Sequence, residues 1–541
     1  MKFSEITKKV TELLKSLSNR ITRKVKNQVK EQPVWSPTQQ SVTSNIKDNM
    51  DYLQQELANC CDLVSRPLKI GLDNATEAFI IYLDDLVDSS ALEKTMQLLM
   101  QGNQSITNTI EKPLHQVIYD QLLSVGQVMP LDDLNTLIQE ILTGTLGLVL
   151  DGETVCFSLG IKSGVVNRPL EEPPSEGVLR GPRDGLSENI QINRGLIRRR
   201  IKSPKLKFEK MTIGTLTQTQ VNIVYIEGLA LASLIQEMKQ RLERIKIDGI
   251  IESGYIEDFI EDTPYSLFSQ TIVTERPDRV AISLLNGRVV VLIDTTPFVL
   301  IVPASFPRML EGVDDNYTRY SFANFTRLLR FVTLNIALIL PAFYVAISTF
   351  HQEMLPTKIL ISLAGVREGL PFPVFVETLF MEITFEIITE AGIRLPRAVG
   401  SAVSIVGALV IGDAAVSAGF ASPATVIVVA MTAISTLTIP EVGASHAIRL
   451  IRFPLLILAS AFGFLGIVIG LLFVLIHLCS LRSFGVPYLD PLAPLHLTDF
   501  KENIFRAPRW SLSKRPTEVS ENNSTRQPIR PKGKPPKGNE E

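Results

Sequence analysis

FVTLNIALILPAFYVAISTF (331–350) is a run of twenty residues without a single charge. A helix of that length rises about 30 Å, which matches the hydrocarbon core of a membrane. Three more long apolar runs follow, at 398–418, 423–440 and 454–479, and the last of them has no charge at all. Buried helices of soluble proteins keep a polar face, and these runs do not. The sequence therefore predicts an all-α transmembrane helical domain.

A glutamate-rich segment, PVFVETLFMEITFEIITEAGIRLPR, begins at Pro373 after the first run. Over 373–391 it predicts a helix with three glutamates on one face, one turn apart: Glu382, Glu386 and Glu390. A carboxylate facing lipid costs about 2.5–3.5 kcal/mol at mid-bilayer, so this acidic stripe should border protein or water. The stripe fits a cation pathway, or a buried ion-pair seam with Arg394 and Arg397. An amphipathic helix lying at the membrane interface is equally compatible with the pattern.

The run at 398–418 contains small residues at intervals of four: Gly400, Ser404, Ala408 and Gly412. Such a ladder lets helix backbones approach each other closely. We expect this helix either to pack against neighbours in its own chain or to line the axis of an oligomer. In the second arrangement Asp413 would attract cations at the mouth of a pore.

The membrane domain is predicted to cover residues 326–485 with four or five spans. Arg319, Arg327 and Arg330 precede the first span, and by the positive-inside rule they put the preceding half of the chain in the cytoplasm. If 373–391 crosses, there are five spans and the C-terminal tail lies outside. If it is interfacial, there are four spans and the tail is cytoplasmic. The charges of the short loops favour five spans, whereas the basic tail favours four.

Residues upstream of the first span alternate strand-like and helical stretches, which predicts an α/β soluble domain. AFIIYLDDLVD (78–88) and VNIVYIEGLA (221–230) resemble each other at an offset of 143 residues (Ile81 with Val224), and a helical stretch follows each. The soluble domain is therefore predicted to consist of two related lobes, at 46–160 and 214–325.

Each lobe is also predicted to contain an apolar hairpin: GLVLDGETVCFSL (147–159) in the first and AISLLNGRVVVLI (281–293) in the second. Asp151-Gly152 and Asn286-Gly287 lie at the centres of these hairpins. Both dipeptides favour two-residue turns, in which the backbone needs positive φ. This second match, in the same order as the first, supports the internal repeat.

The segments around the lobes are polar and basic. They are a basic N-terminal arm and linker at 1–45, a connector rich in Arg, Pro and Gly at 161–213, and a basic tail at 486–541 whose end is expected to be disordered. The connector carries five arginines of interest: Arg180, Arg183, Arg198, Arg199 and Arg200. They could meet an acidic partner surface or lipid phosphate, or lock the two lobes together through carboxylates. Nucleic acid is not expected as a partner, because no aromatic residues are interleaved with them.

The sequence lacks the motifs of common enzyme classes. It has no G-x-S-x-G elbow, no phosphate-binding P-loop, no H-E-x-x-H pair and no G-x-G-x-x-G after a strand. The cysteines do not have metal-ligand spacing and are expected to be reduced thiols: Cys60, Cys61, Cys156 and Cys479. We therefore predict no catalysis, no cofactor and no metal.

Several motifs taken together point to a known family: VLRGPRDGLSENIQINRGLIRRRIKSPKL, TERPDR, VREGLPFP, MEITFEIITEAGIRLPR and IGDAAVSAGFASP. In this order the chain resembles the A subunit of the GerA-type spore germinant receptors. The resemblance implies a location in the inner spore membrane and a receptor built with a transporter-like B subunit and a lipoprotein C subunit. It also implies a response to nutrients, followed by release of monovalent cations through an oligomer of the A subunit.

Combined with the residues, the resemblance predicts a receptor subunit that forms a homo-oligomer in the lipid bilayer and opens a cation-release pathway. The small-residue helix would surround the pore, and the acidic stripe with Asp413 would favour cations. A secondary transporter ranks second, because such proteins usually repeat their membrane halves and here the repeat lies in the soluble part. A non-conducting scaffold subunit is the third alternative.

Overall fold

The computed structural model has an α/β part that precedes residue 320 and a helical part that follows it. The residues described are 40–70, 76–101, 119, 127–161, 172–173, 175–394, 410–496, 499–516 and 525–526. Residues 1–39 of the predicted N-terminal arm and linker (1–45) and connector residues 162–171 and 174 lie outside them.

The first lobe is a five-stranded antiparallel sheet with the order β1-β2-β4-β5-β3. Its strands are β1 (Leu63–Ile70), β2 (Thr76–Leu83), β3 (Val128–Leu131), β4 (Leu146–Leu150) and β5 (Cys156–Leu159). Its helices are α1 (Ile46–Glu56), α2 (Ser89–Gln101) and α3 (Leu134–Ile141). Helix α2 packs on one face of the sheet, and α1 and α3 pack on the other. Because both faces are covered, the central strands β2 and β4 are almost entirely apolar and buried.

The second lobe has the same strand order, here β6-β7-β9-β10-β8. Its strands are β6 (Leu206–Ile213), β7 (Thr219–Ile226), β8 (Ile272–Thr274), β9 (Val289–Ile293) and β10 (Val299–Val302). Its helices are α4 (Ile190–Arg200), α5 (Ala232–Arg244), α6 (Ser253–Ile260) and α7 (Pro277–Leu285). Helices α5 and α6 cover one face, whereas α4 and α7 cover the other. The α4–α7 side of this core continues without a break into the helical part.

The two sheets correspond position by position. Four of the five pairs of equivalent strands start 143 residues apart, and β3 and β8 start 144 apart: Leu63 and Leu206, Thr76 and Thr219, Leu146 and Val289, Cys156 and Val299, Val128 and Ile272. In the first lobe the Ile46 amide donates to Asp151 Oδ1 over 3.2 Å, and in the second the Ile190 amide donates to Asp294 Oδ1 over 3.3 Å. Each of these bonds ties the start of a helix to the turn of a hairpin.

The hairpin predicted at 281–293 is wrong. Residues up to Leu285 form α7, and the helix ends at Asn286 and Gly287, which has φ +91°. Asn-Gly here terminates a helix, a position that also favours positive φ. The hairpin of the second lobe instead joins β9 to β10 and turns at Asp294-Thr295, the counterpart of Asp151-Gly152. The hairpin predicted at 147–159 is present as β4 and β5.

The connector between the lobes is shorter than the predicted range 161–213. Helix α4 and strand β6 fall inside that range but belong to the second lobe, where β6 is the edge strand paired with β7. The helix was not predicted from the sequence because it is short and its few apolar residues are interrupted by arginines: Arg194, Arg198, Arg199 and Arg200. The two lobes also touch through backbone, since the Cys61 amide donates to the Phe208 carbonyl over 2.9 Å.

The helical part begins with a long helix, α8. Its described helices are α8 (Tyr320–Thr349), α9 (Thr357–Arg367), α10 (Val374–Arg394), α11 (Pro423–Thr436), α12 (Val442–Phe462) and α13 (Phe464–Ser480), and residues 410–417 are also helical. Among the described residues, α8 and α12 are long and apolar enough to cross a membrane, and α11 and α13 are shorter apolar helices. Most of the predicted run at 398–418 lies outside the described residues.

The predicted span at 454–479 is not one helix. It breaks at Gly463, which has φ +61°, into α12 and α13. The two helices fold back on each other so closely that a Cβ on Gly466 would lie 2.0 Å from the carbonyl oxygen of Leu458. A continuous apolar run gives no sign of this turn, because both halves of the hairpin are apolar.

The tail after α13 is folded against the second lobe as far as residue 516. The Phe306 amide donates to the Tyr488 carbonyl over 2.8 Å, and Arg506 donates to the carbonyls of Asn316 and Thr318 at the base of α8. Even the stretch predicted as disordered has structure, since Lys514 bridges to Thr525. The tail and the lobes therefore lie at the same end of the helical part.

Candidate functional site: a glutamate–arginine seam between two helices

Helix α10 carries the predicted acidic stripe. Its buried positions include Val374, Glu377, Thr378, Met381 and Glu382, which share one face at helical spacing. Glu377 is not part of the acidic stripe, yet it is as buried as Glu382, each being 1% exposed. Two carboxylates thus point into the packed interior.

Arginines from α12 meet the stripe. Arg452 Nη2 lies 3.0 Å from Glu382 Oε2 and 2.8 Å from Glu386 Oε1, and its side chain is 2% exposed. Arg449 Nε donates to Glu386 Oε2 over 3.0 Å. We call these four side chains the seam. It balances two carboxylates with two guanidinium groups, as a buried charge requires.

The environment of the stripe changes along the helix. The exposed fraction of the glutamate side chain rises from 1% at Glu382 to 22% at Glu386 and 60% at Glu390. Glu390 pairs with Arg394 of its own helix over 2.6 Å, and both groups are exposed. The predicted seam with Arg394 and Arg397 is therefore wrong for the buried glutamates; Arg397 lies outside the described residues.

The sequence did carry a signal for the true partners. Arg449 and Arg452 are three residues apart in an apolar stretch, so they share one helix face. On the sequence alone they count among the charges of the short loops, which favour five spans.

Glu377 forms a second polar cluster at the other end of α10. Its Oε2 accepts from the Ser422 amide over 3.1 Å and from Thr425 Oγ1 over 3.2 Å. Tyr344 of α8 completes the cluster, with its hydroxyl 3.3 Å from Ser422 Oγ. This cluster joins α8, α10 and the start of α11, and it was not anticipated from the sequence.

The small-residue helix is described only at its end. Gly412 is buried, and a Cβ there would lie 3.3 Å from Val426 Cγ1 of α11, so this position packs within its own chain. Asp413 is exposed and is not part of the seam. Gly400, Ser404 and Ala408 lie outside the described residues.

The five connector arginines do not act together. Arg198 is fully buried and forms two hydrogen bonds to Asp62 of the first lobe, over 2.9 and 3.0 Å. Arg200 pairs with Asp184, Arg199 is half-buried, and Arg180 and Arg183 are exposed. Arg194, one turn before Arg198, makes a similar bidentate contact with Asp85. Two arginines of α4 thus hold the lobes together.

Burial disfavours the thiolate form of the cysteines at this contact. Cys61 Sγ lies 3.4 Å from Arg194 Nη1, yet burial raises the pKa of the thiol to about 11. A thiol with this pKa stays neutral at physiological pH.

A second joint connects the second lobe to α12. Arg279 of α7 lies between two carboxylates, 2.8 Å from Glu441 at the start of α12 and 2.5 Å from Glu176 of the connector. Glu441 also accepts from the Val273 amide over 3.1 Å. A cleft of about 400 Å³ opens beside this joint. The same helix, α12, therefore contacts the lobe at its start and the acidic stripe in its middle.

Comparison with known proteins gives the family. The protein-family model described as Bacillus/Clostridium GerA spore germination protein matches residues 51–518 of this chain. Spore germination protein KA of Bacillus subtilis (strain 168) is 43% identical over 498 residues, which are 92% of this chain and 90% of that protein. Spore germination protein GerLA of Bacillus cereus is 37% identical over 491 residues, which are 91% of this chain and 98% of that protein.

A solved structure is also similar. It is the crystal structure of the N-terminal domain of the A subunit of the Bacillus megaterium spore germinant receptor GerK3, with 33% sequence identity and a TM-score of 0.41, covering 50% of this chain and 99% of that one. The sequence match over most of the chain confirms the resemblance drawn from the motifs: this chain belongs to the Bacillus/Clostridium GerA family of spore germination proteins.

Proposed function

We propose that the chain is the membrane subunit of a nutrient-responsive spore germination receptor, and that the seam is the closed state of a cation-release pathway. The observation that carries this proposal is the pairing of Glu382 and Glu386 with arginines of α12 inside an apolar helical part. While the pairs hold, neither carboxylate is available to a passing cation. Separation of α10 from α12 would free both carboxylates and make an acidic path.

The seam is suited to two states. A buried ion pair contributes little net stability compared with an apolar contact, because desolvation offsets much of the attraction. Water that enters the seam would solvate the separated charges again. The free energy of the open state therefore need not be much higher than that of the closed state. A ligand can then shift the balance only if it binds the open state more tightly.

Helix α12 is the element that would transmit the signal. A shift of the second lobe would pull on Glu441 through its ion pair with Arg279. Glu441 lies at the start of α12, which carries Arg449 and Arg452 further along. Occupancy sensed by the lobes or by a partner could thus part the seam without any ligand in the helical part. Transporter-like B and lipoprotein C subunits are the partners that we propose for this role. Exposed Arg180 and Arg183 would serve as contact residues.

We infer an even number of membrane crossings, with the lobes and the tail both in the cytoplasm and the protein in the inner spore membrane. This inference rests on the contacts of the tail with Asn316 and Thr318 at the base of α8, beside the arginines that precede the apolar run. The two lobes would be copies of one ancestral unit. Homo-oligomerisation around the helix at 398–418, with Asp413 near the pore mouth, completes the proposal.

The test neutralises the seam. Spores that carry Glu382→Gln and Glu386→Gln together should lose most of their nutrient-triggered K⁺ release while the chain remains in the membrane. Glu390→Gln is the matched control, because that side chain is exposed and paired within its own helix. If the double variant fails to accumulate, Glu386→Gln alone decides the question, because it leaves the contact of Glu382 with Arg452 in place and should still reduce K⁺ release.

The alternatives predict different results. Normal K⁺ release from spores with a neutral seam and normal chain levels would contradict the pathway and favour a scaffold. Counterflow of radiolabelled nutrient through the purified chain alone would favour a secondary transporter.

A further inference from the structure

Three side chains that can ligate metals come together just after α13. They are Asp490, His496 and Asp499, and one potential ligand atom from each lies within 4.8 Å of the other two. His496 Nδ1 is 2.8 Å from Asp490 Oδ1. We propose that this cluster, two carboxylates and one imidazole, binds a first-row divalent metal ion such as Zn²⁺ or Mn²⁺.

Burial makes a cation favourable at this position. Asp490 is 2% exposed and Asp499 is 4% exposed, so both carboxylates are removed from bulk water. Two carboxylates this close repel each other strongly in a low-dielectric environment. A divalent ion placed between them would be attracted by both carboxylates.

The site also has an entrance. The His496 side chain is 45% exposed, so its ring can turn to receive an ion from solvent. Imidazole binds a metal ion through a ring-nitrogen lone pair, and rotation of the ring exchanges the contact with Asp490 for the metal. An ion at about 2.0–2.2 Å from each donor would draw the three groups together by a small movement.

The donor set selects the class of metal. Ca²⁺ prefers six to eight oxygen ligands, and Mg²⁺ retains most of its water, so neither gains from an imidazole. Imidazole favours the transition metals, while the two carboxylates keep Mn²⁺ in competition with Zn²⁺. The three protein ligands leave at least one position for water.

The position in the fold gives the ion a role. Tyr488, two residues before the cluster, donates to the Ser269 carbonyl over 2.8 Å, and Arg327 of α8 donates to the Asn503 carbonyl over 3.3 Å. The cluster therefore lies on the segment that runs from the second lobe to the base of α8. A bound ion would fasten this segment where the lobe meets the helical part.

The test measures metal binding directly on the full chain in detergent micelles. The chain is stripped with EDTA, dialysed, and titrated with MnCl₂ under electron paramagnetic resonance, and with ZnCl₂ by equilibrium dialysis and elemental analysis. We expect one ion per chain. His496→Ala and Asp499→Asn should each weaken binding by at least about tenfold.

The control is His351→Ala, a histidine at the opposite end of the helical part, which should leave the affinity unchanged. His496→Ala removes an exposed side chain, so it should preserve the fold, and circular dichroism checks this. A chain that binds no stoichiometric ion, or variants that bind as tightly as the parent, would overturn the proposal. Binding of CaCl₂ more tightly than ZnCl₂ would overturn the assignment of the metal class.

Discussion

Single residues decide how the two lobes are joined. Arg198 is completely buried, forms a bidentate pair with Asp62, donates to the Leu206 carbonyl over 2.9 Å and lies over the ring of Phe208 at 4.7 Å. These partners belong either to the first lobe or to the edge strand of the second. Such an arginine is tolerated in a core only because every polar group around it is matched.

Arg198→Ala should destabilise the α/β part by roughly 3–5 kcal/mol, because Asp62 would remain buried without its partner. Thermal unfolding of the purified chain measures the loss, with the exposed Arg183→Ala as control. Adding Asp62→Asn to Arg198→Ala should recover part of the stability. If the single variant unfolds at the same temperature as the parent, the lobes are not joined by this pair.

A second residue, Glu261, links stability to pH. Burial, and then the neighbouring Glu257 and Asp258, raise the pKa of its carboxyl to about 7, although the Gln270 amide donates to it. The folded state therefore keeps a proton that the unfolded state releases near pH 4.5. This contribution is fully present below pH 4.5 and is lost as the pH rises through about 7.

Glu261→Gln should remove that dependence. The variant is expected to gain stability over the parent at pH 8 compared with pH 5, because Gln carries no charge to desolvate. The measurement is the unfolding temperature of both chains in detergent at the two pH values, with the exposed Glu243→Gln as control. An equal difference between the chains at both pH values would contradict the raised pKa.

At the scale of elements, the sequence predicted what depends on local pattern. A strand within 78–88, the hairpin at 147–159 and the helix at 373–391 were predicted because alternation and spacing reflect burial directly. The prediction of a single span at 454–479 was wrong because the turn within it depends on one glycine and on packing between two equally apolar helices. The prediction of a hairpin turn at Asn286-Gly287 was wrong because positive φ suits the end of a helix as well as a hairpin.

The hairpin of α12 and α13 depends on the absence of a side chain at Gly466. A Cβ there would lie 2.0 Å from the Leu458 carbonyl oxygen, so Gly466→Ala must push the helices apart. We expect this variant to reduce the amount of chain in the membrane and its unfolding temperature. Gly365→Ala is the matched control, because a Cβ added at this position has no atom within 4 Å and alanine favours a helix. Equal stability of the two variants would contradict the close packing.

At the scale of the whole molecule, family membership and structure support each other. The family comprises spore germination proteins and not enzymes, which agrees with the absence of enzyme motifs from the sequence. The acidic stripe could be predicted from spacing within one helix, yet its arginine partners are more than sixty residues away in the chain. Contacts over such distances depend on how helices pack, and a single sequence does not encode that packing locally.

The arrangement of the tail leads to a prediction about topology. Ser511 lies on the tail and Thr215 on the second lobe, whereas Glu353 lies beyond the far end of α8, and all three are exposed. In a chain whose own cysteines are replaced by serine, cysteine at each position can be labelled with a membrane-impermeant maleimide in intact protoplasts. We expect Glu353→Cys to react from outside, and Thr215→Cys and Ser511→Cys to react only after permeabilisation. Reaction of Ser511→Cys in intact protoplasts would mean an odd number of crossings. The packing of the tail against the lobe would then be impossible, because a membrane would separate them.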